Sequence, residues 1–195
     1  MTFPKDQITG VILAGGKGRR LGGTDKGLMS YHNKPLVAHI LSQLEPQVGR
    51  ILINANRHIE NYQEYAEVIS DQLSDFQGPL AGMQSAMRFT DTPWILTVPC
   101  DGLKISIKYA KMLYQNALEG NAKIAVAHDG DRLQPVHALI HCSLIESLES
   151  FLNTHQRKID CWYGQHDYVR TDFSKYPDMF RNINTPEDKK EMGIQ

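Results

Sequence analysis

The sequence predicts a three-layer α/β/α sandwich around a mainly parallel sheet, and three observations carry that expectation. Short apolar runs rich in β-branched residues alternate with helical patterns through the first 125 residues, the order that strand–helix–strand crossovers produce. The first of these runs opens directly into a glycine-rich segment, and two later ones lead to carboxylates at Asp71 and Asp101. In such sheets ligands bind beyond the carboxyl ends of the strands. The glycine segment, Asn54, Asp71 and Asp101 are therefore expected to meet at one edge.

In chain order, Ile8–Leu13 reads as a strand buried on both faces. Lys34-Pro35-Leu36 opens a helical pattern with Leu36, Ile40, Leu41 and Leu44 at helical spacing, and Pro46 and Gly49 stop it. A second strand is expected at Arg50–Asn54, a short helix at 59–65 and a third strand at 67–71. Gly78-Pro79-Leu80-Ala81-Gly82 turns the chain into a helix with Leu80, Met83, Ala86 and Met87 on one side. Trp94–Pro99 is another apolar strand. Ser106 is expected to cap a helix running to Glu119, with Tyr109, Met112, Leu113 and Leu118 as its buried stripe.

A fifth strand is expected at 122–127, followed by a turn at His128-Asp129-Gly130-Asp131. The extended segment 134–141 then reads as an antiparallel insertion. A helix over 144–152 directs Leu144, Ile145, Leu148, Phe151 and Leu152 inward, and a shorter helical piece spans 157–162. A late strand at 168–173 and a helix opened by Thr185-Pro186-Glu187-Asp188 complete the pattern.

Length and composition narrow the function classes. A chain of 195 residues is economically read as one domain, residues 1–195, with a substantial core. A pI near 6.7 argues against an extended nucleic-acid surface. No apolar run approaches the ~20 residues that span a bilayer, and the first strand begins too early to leave room for a signal peptide. A cytoplasmic, monomeric protein is expected. Cys100, Cys142 and Cys161 are odd in number and widely spaced, so neither a disulfide framework nor a C-x-x-C pair is expected. His137 and His141 lie four apart on an extended segment, about 13 Å at strand rise, too far to share a zinc ion.

The chemistry concentrates in residues 13–26, Leu13-Ala14-Gly15-Gly16-Lys17-Gly18-Arg19-Arg20-Leu21-Gly22-Gly23-Thr24-Asp25-Lys26. Five glycines and four cations fall within these fourteen positions, in a chain whose net charge is only -1. Glycines let backbone N–H groups approach an anion closely, and Lys and Arg add full charges, so a polyphosphate is the natural guest. The segment is neither a G-x-G-x-x-G fingerprint, which Leu21 breaks, nor a P-loop, since no Gly-Lys pair is followed by Ser or Thr.

Leu13-Ala14-Gly15-Gly16 followed by Arg20-Leu21-Gly22 and Asp25-Lys26 resembles the signature of nucleotidyltransferases with a Rossmann-like, nucleotide-diphospho-sugar transferase fold. Further pieces follow in the same order: Asn54-Ala55-Asn56-Arg57; Asp71 ahead of Gly78-Pro79-Leu80-Ala81-Gly82; Pro99-Cys100-Asp101; Gln134-Pro135-Val136-His137-Ala138-Leu139; and Asn182-Ile183-Asn184-Thr185-Pro186. Together they resemble the molybdenum cofactor guanylyltransferases.

That resemblance implies transfer of GMP from GTP to the terminal phosphate of molybdopterin or its molybdenum-loaded form, with release of pyrophosphate. It implies GTP contacts at Leu13, Ala14, Gly15, Gly16, Arg19, Lys26, Asn54, Asp71, Gly78 and Asp101. Lys26 would neutralise phosphate charge with Arg19 or Arg20 assisting, and Asp101 would hold Mg²⁺, whose preference is for a few oxygen ligands. Asn182 and Asn184 would face the second substrate or the metal. Other cofactor-biosynthesis proteins and molybdoenzyme chaperones are the protein partners it implies.

Two departures stand out: Gly102-Leu103 where relatives commonly carry Thr-Pro, and Leu21 for the more frequent Met. A cytidylyl, cobinamide or sugar-phosphate nucleotidyltransferase is the neighbouring alternative, and a nucleotide-binding module without catalysis the more distant one.

Overall fold

The computed structural model describes residues 3–16, 25–72, 78–183, 186–191 and 193–194. Its elements in chain order are β1 (Ile8–Leu13), β2 (Ser30–Tyr31), β3 (Lys34–Pro35), α1 (Leu36–Leu44), β4 (Arg50–Asn54), α2 (Ile59–Gln63), β5 (Glu67–Ile69) and α3 (Pro79–Phe89). They continue with β6 (Trp94–Pro99), α4 (Tyr109–Glu119), β7 (Ile124–His128), β8 (Leu133–His141), α5 (Ile145–Asn153), α6 (Ile159–Tyr163), β9 (Tyr168–Asp172) and α7 (Pro186–Glu191).

Seven strands form one sheet in the order β5-β4-β1-β6-β8-β7-β9. β1 pairs in parallel with β4 and β6, β4 with β5, and β7 with β9, whereas β8 runs antiparallel to both β6 and β7. The six parallel strands therefore point their carboxyl ends at one edge. The expected insertion is this single strand, hairpinned to β7 and wedged into the middle of the sheet.

Two apolar layers cover the sheet. Ile8, Ile12, Ile53 and Val98 face Val37, Ile40 and Leu44 of α1 and Tyr109, Leu113 and Ala117 of α4. Val11, Leu52, Ile95 and Ile140 face Leu80, Met83 and Met87 of α3, Leu148 and Leu152 of α5 and Trp162 of α6. Inner strands buried on both faces read as continuous apolar runs, which is how β1 and β6 look in the sequence.

Several boundaries differ from expectation for identifiable reasons. Lys34 and Pro35 do not start the first helix. They form the return strand of a small hairpin, with Ser30 opposite Pro35 and Tyr31 opposite Lys34. Its turn residues His32 and Asn33 have φ of 47° and 61°, the paired positive φ that two-residue hairpins require.

The strand expected at 67–71 ends at Ile69. Ser70 then donates to the carbonyl of Ala55, and Asp71 turns to the side chain of Asn56. Helix α4 begins at Tyr109; Ser106 acts one turn earlier, accepting from the N–H of Lys108 at 3.2 Å. Leu118 is half exposed rather than buried. Nine positions at 100° place it on the helix face opposite Tyr109, while Ala110, Leu113 and Ala117 complete the inner stripe.

The pairing of β8 with β7 slips after Val126, which lies opposite Ala138, to Ala127, which lies opposite Gln134. Pro135 has no N–H to give a ladder and sits in this irregularity. The hydroxyl of Tyr163 donates to the carbonyl of Pro135 at 2.8 Å, and Thr97 donates to that of Val136 at 2.6 Å. His137 lies next in the chain, buried between the rings of Tyr109 and Phe180.

Candidate active site

Leu13 closes β1 with Asn54 of β4 on one side and Pro99 of β6 on the other. The junction of β1 with the chain beyond it is tied to both neighbours. Ala14 donates to the carbonyl of Asn54 at 2.8 Å, and Cys100 donates to the carbonyl of Leu13 at 3.1 Å. Asp101 emerges two residues past β6, and Lys26 reaches it from the far end of the glycine segment, Nζ to Oδ2 at 2.9 Å. Both side chains are largely covered, with 21% and 14% of their surfaces exposed.

The other Asp101 oxygen, Oδ1, is buried and has no hydrogen-bond partner among the described residues. The same holds for Oδ1 of Asn182. Asn182 arrives by a strap that leaves β9 at the far edge of the sheet and packs Met179 and Phe180 into the core. The strap meets the site where the N–H of Ile183 donates to the carbonyl of Asp101 at 3.2 Å. Buried oxygens without donors are costly. Two of them on segments joined by a backbone bond suit a hard cation, which takes oxygen ligands and keeps several waters.

A second group of polar side chains lies on the β4 side. Asp71 accepts from Nδ2 of Asn54 at 2.9 Å and Nδ2 of Asn56 at 2.7 Å, while its own N–H donates to Oδ1 of Asn56 at 2.8 Å. Asn56 thus fixes the carboxylate and its backbone together. Helix α3 completes this wall. Gly78 opens it with φ of 85°, a conformation that favours glycine, and Pro79 holds the first helical position. Gly82, one turn on, lies so close to the Asn54 amide that a Cβ there would overlap its Oδ1. The N–H of Gln72 donates to Ser85 at 3.0 Å, anchoring the chain just past Asp71 to the same helix.

The thiol of Cys100 is buried near Asp101 and Asp25 and is not poised as a nucleophile. Burial pushes its pKa up, and the charges of Asp101 and Asp25 push it further, so it stays protonated at neutral pH.

The structure thus brings Leu13, Ala14, Gly15, Gly16, Lys26, Asn54, Asp71, Gly78, Asp101 and Asn182 to the carboxyl edge of the sheet. Arg19, Arg20 and Asn184 lie outside the described residues. Sequence reading left Asn56 out of the site, although its spacing two beyond Asn54 was a usable signal. It also left out Asp25, Arg57 and Tyr62, whose contacts join distant parts of the chain.

A model of the MobA-like NTP transferase domain matches residues 10–169, which span every strand of the sheet except part of β1 and β9. The chain belongs to the MobA-like NTP transferase family. The chain is 49% identical over 189 residues to the molybdenum cofactor guanylyltransferase of Shewanella pealeana, covering 96% of this chain and 94% of that one. It is 43% identical over 193 residues to the protein of that name from Aliivibrio fischeri, covering 99% and 98%.

Among solved structures, the molybdopterin-guanine dinucleotide biosynthesis protein A of Archaeoglobus fulgidus superposes with a TM-score of 0.76 at 23% identity, over 95% of this chain and 96% of that one. At that identity the superposition establishes the shared nucleotide-diphospho-sugar transferase-like fold. As a MobA-like NTP transferase the chain is a nucleotidyltransferase, and residues 13–16, Asp71, Asp101 and Lys26 lie at the strand ends, where an open α/β sheet takes its ligand.

Proposed function

We propose that this nucleotidyltransferase moves GMP from GTP to the terminal phosphate of molybdopterin, or of the molybdenum-loaded cofactor, forming the guanine dinucleotide. The observation that carries the proposal is the pairing of Lys26 with Asp101, whose other oxygen, like Oδ1 of Asn182, is buried without a donor among the described residues, in a chain 43% to 49% identical to proteins named for guanylyl transfer to this cofactor. One domain serves the whole reaction, as a cytoplasmic monomer.

The substrate phosphate is a monoester already ionised near neutral pH, so the step needs positioning and charge neutralisation rather than a general base. Its oxygen forms a bond to the α-phosphorus of GTP as the bond from that phosphorus to the bridging oxygen breaks, and pyrophosphate leaves with the electron pair. Backbone N–H groups of residues 13–16 line the phosphates. Lys26 is positioned to exchange the Asp101 carboxylate for phosphate oxygens, with Arg19 and Arg20 adding charge.

Asp101 and Asn182 would hold Mg²⁺. Among the described residues no three His, Cys, Asp or Glu side chains gather as a metal cage, which suits an ion that completes its shell with phosphates and water. When bound, Mg²⁺ supplies neutralisation of charge on the transferred and departing groups. Asp71 and the neighbouring amides of Asn54 and Asn56 offer acceptors and donors of the kind that guanine's N1–H, N2–H and O6 require. Asn182, and Asn184 two residues on in the sequence, are the residues proposed to face the pterin substrate.

The test incubates the protein with Mg²⁺, molybdopterin and each nucleoside triphosphate, and measures pyrophosphate and dinucleotide product. GTP is expected to support turnover. Asp101→Ala is expected to lower it by ~10³-fold or more, in the range lost when a key electrostatic group is removed, while GTP binding measured without metal changes little. Turnover with CTP but not GTP, or near-normal turnover of the Asp101 variant, overturns the proposal.

A further inference from the structure

We infer that Tyr62, Asp25 and Arg57 form a clamp whose task is to hold Lys26 in place, which makes Tyr62 a positioning residue for nucleotidyl transfer. The inference rests on the reading of Lys26 as a phosphate-neutralising group. Tyr62 belongs to α2, and the nucleotidyl transfer proposed above does not itself require it. Its side chain is fully buried, yet its hydroxyl donates to Oδ1 of Asp25 at 2.5 Å. Arg57 brings Nε to 3.3 Å from the other oxygen, Oδ2, of the same carboxylate, whose side chain is only 5% exposed.

Gly27 also packs against the tyrosine. It is buried, and a Cβ added to it would overlap the Tyr62 hydroxyl. The backbone between is closed into a 3-10 turn, with Leu28 N–H donating to Asp25 O at 3.2 Å and Met29 N–H to Lys26 O at 3.1 Å. Lys26 is thus flanked by one residue hydrogen-bonded to Tyr62 and one packed against it. The contacts on both sides of Lys26 fix the backbone from which its side chain reaches Asp101.

Burying a carboxylate is costly unless it is paired and hydrogen-bonded, and an apolar residue of similar size would pack this position at lower cost. The arrangement is explained when the turn must be fixed in one register. Charge neutralisation of this kind is steeply sensitive to displacement, since a shift of about 1 Å in a positioned group can cost ~10²-fold in rate. Arg57 also follows directly on Asn56, the residue that orients Asp71. The clamp therefore ties the Lys26 turn to the wall that carries Asn54, Asn56 and Asp71.

A double-mutant cycle separates positioning from mere support of the fold. Tyr62→Phe keeps the ring and removes the hydroxyl. In the otherwise unaltered protein it is expected to lower kcat for guanine dinucleotide formation by ~10-fold, the order expected for a misplaced catalytic group. In the Lys26→Ala background the same change is expected to lower kcat by less than ~2-fold, because a residue that acts through Lys26 has nothing left to position.

Equal fold losses in both backgrounds, or an unchanged kcat in the single variant, overturn the inference. Melting temperatures of all four proteins are recorded. Should Tyr62→Phe not fold, Arg57→Lys is carried through the same cycle and the same two patterns decide. A wild-type protein that forms no product would be a failure of the functional reading; an active wild type with additive losses would be a failure of the clamp alone.

Discussion

Replacing His137 by Phe tests whether the buried histidine makes this fold sensitive to mild acid. The imidazole is 4% exposed, and neither ring nitrogen has a hydrogen-bond partner among the described residues. It packs edge to face against Tyr109, with centroids 5.9 Å apart, and against Phe180 at 5.2 Å. Burial pushes its pKa down from 6.5 to about 4, so the folded protein keeps it neutral where the unfolded chain would bind a proton. The associated stability is fully present above about pH 6.5 and is lost as the pH falls from there towards the folded value.

At ~1.4 kcal/mol per pH unit, the loss is ~2 kcal/mol between about pH 7 and about pH 5, rising to ~3 kcal/mol below about pH 4. For a chain of this size each kcal/mol moves Tm by ~2–4 °C. Thermal unfolding followed by circular dichroism should therefore show the wild type losing ~4–8 °C more than His137→Phe across that interval. Burial also depresses His141 and His166, but those residues are common to both proteins and cancel in the difference. A Tm gap between the two proteins that stays constant across the interval would refute the reasoning.

Two further substitutions probe the wall beside β4. Gly82→Ala would drive its methyl into the Asn54 amide and the side chain of Leu13; a stability loss of ~1–3 kcal/mol, typical of overpacking, should appear in denaturant titration together with a raised KM for GTP. Asp71→Ala removes the acceptor of both Asn54 and Asn56. Steady-state kinetics should show KM for GTP raised by ~10-fold and kcat at saturation changed by less than ~3-fold, the signature of lost uniform binding.

The framework was legible because it depends on local patterns. Strands β1 and β6 announce themselves as apolar runs between breakers, and Asp71 and Asp101 lie just past strand ends that register then aligns. The hairpin at residues 30–35 was not legible, since His32-Asn33 is a far weaker turn signal than Asn-Gly. Leu118 was misassigned because apolarity outweighed its angular position on α4. The clamp was invisible for a different reason: Tyr62 and Asp25 are 37 positions apart, and nothing in a tyrosine on a short helix states that its hydroxyl will meet a buried carboxylate. Asn182 was legible as a motif residue, whereas its buried oxygen beside the Asp101 backbone required the strap to be seen in place.

The antiparallel strand β8 joins two blocks of the sheet through contacts of different sequence range. β7 and β8 are joined by a short turn and find their register through local contacts, whereas β8 meets β6 across 41 positions, where Thr97 bonds to Ala138. Loop-closure entropy favours the local pairing first and leaves the β6–β8 seam to close later. Asp101 lies on one side of that seam, while Asn182 follows β9 on the other. Their junction needs both blocks in place, so recovery of activity during refolding is expected to follow closure of the seam rather than formation of either block.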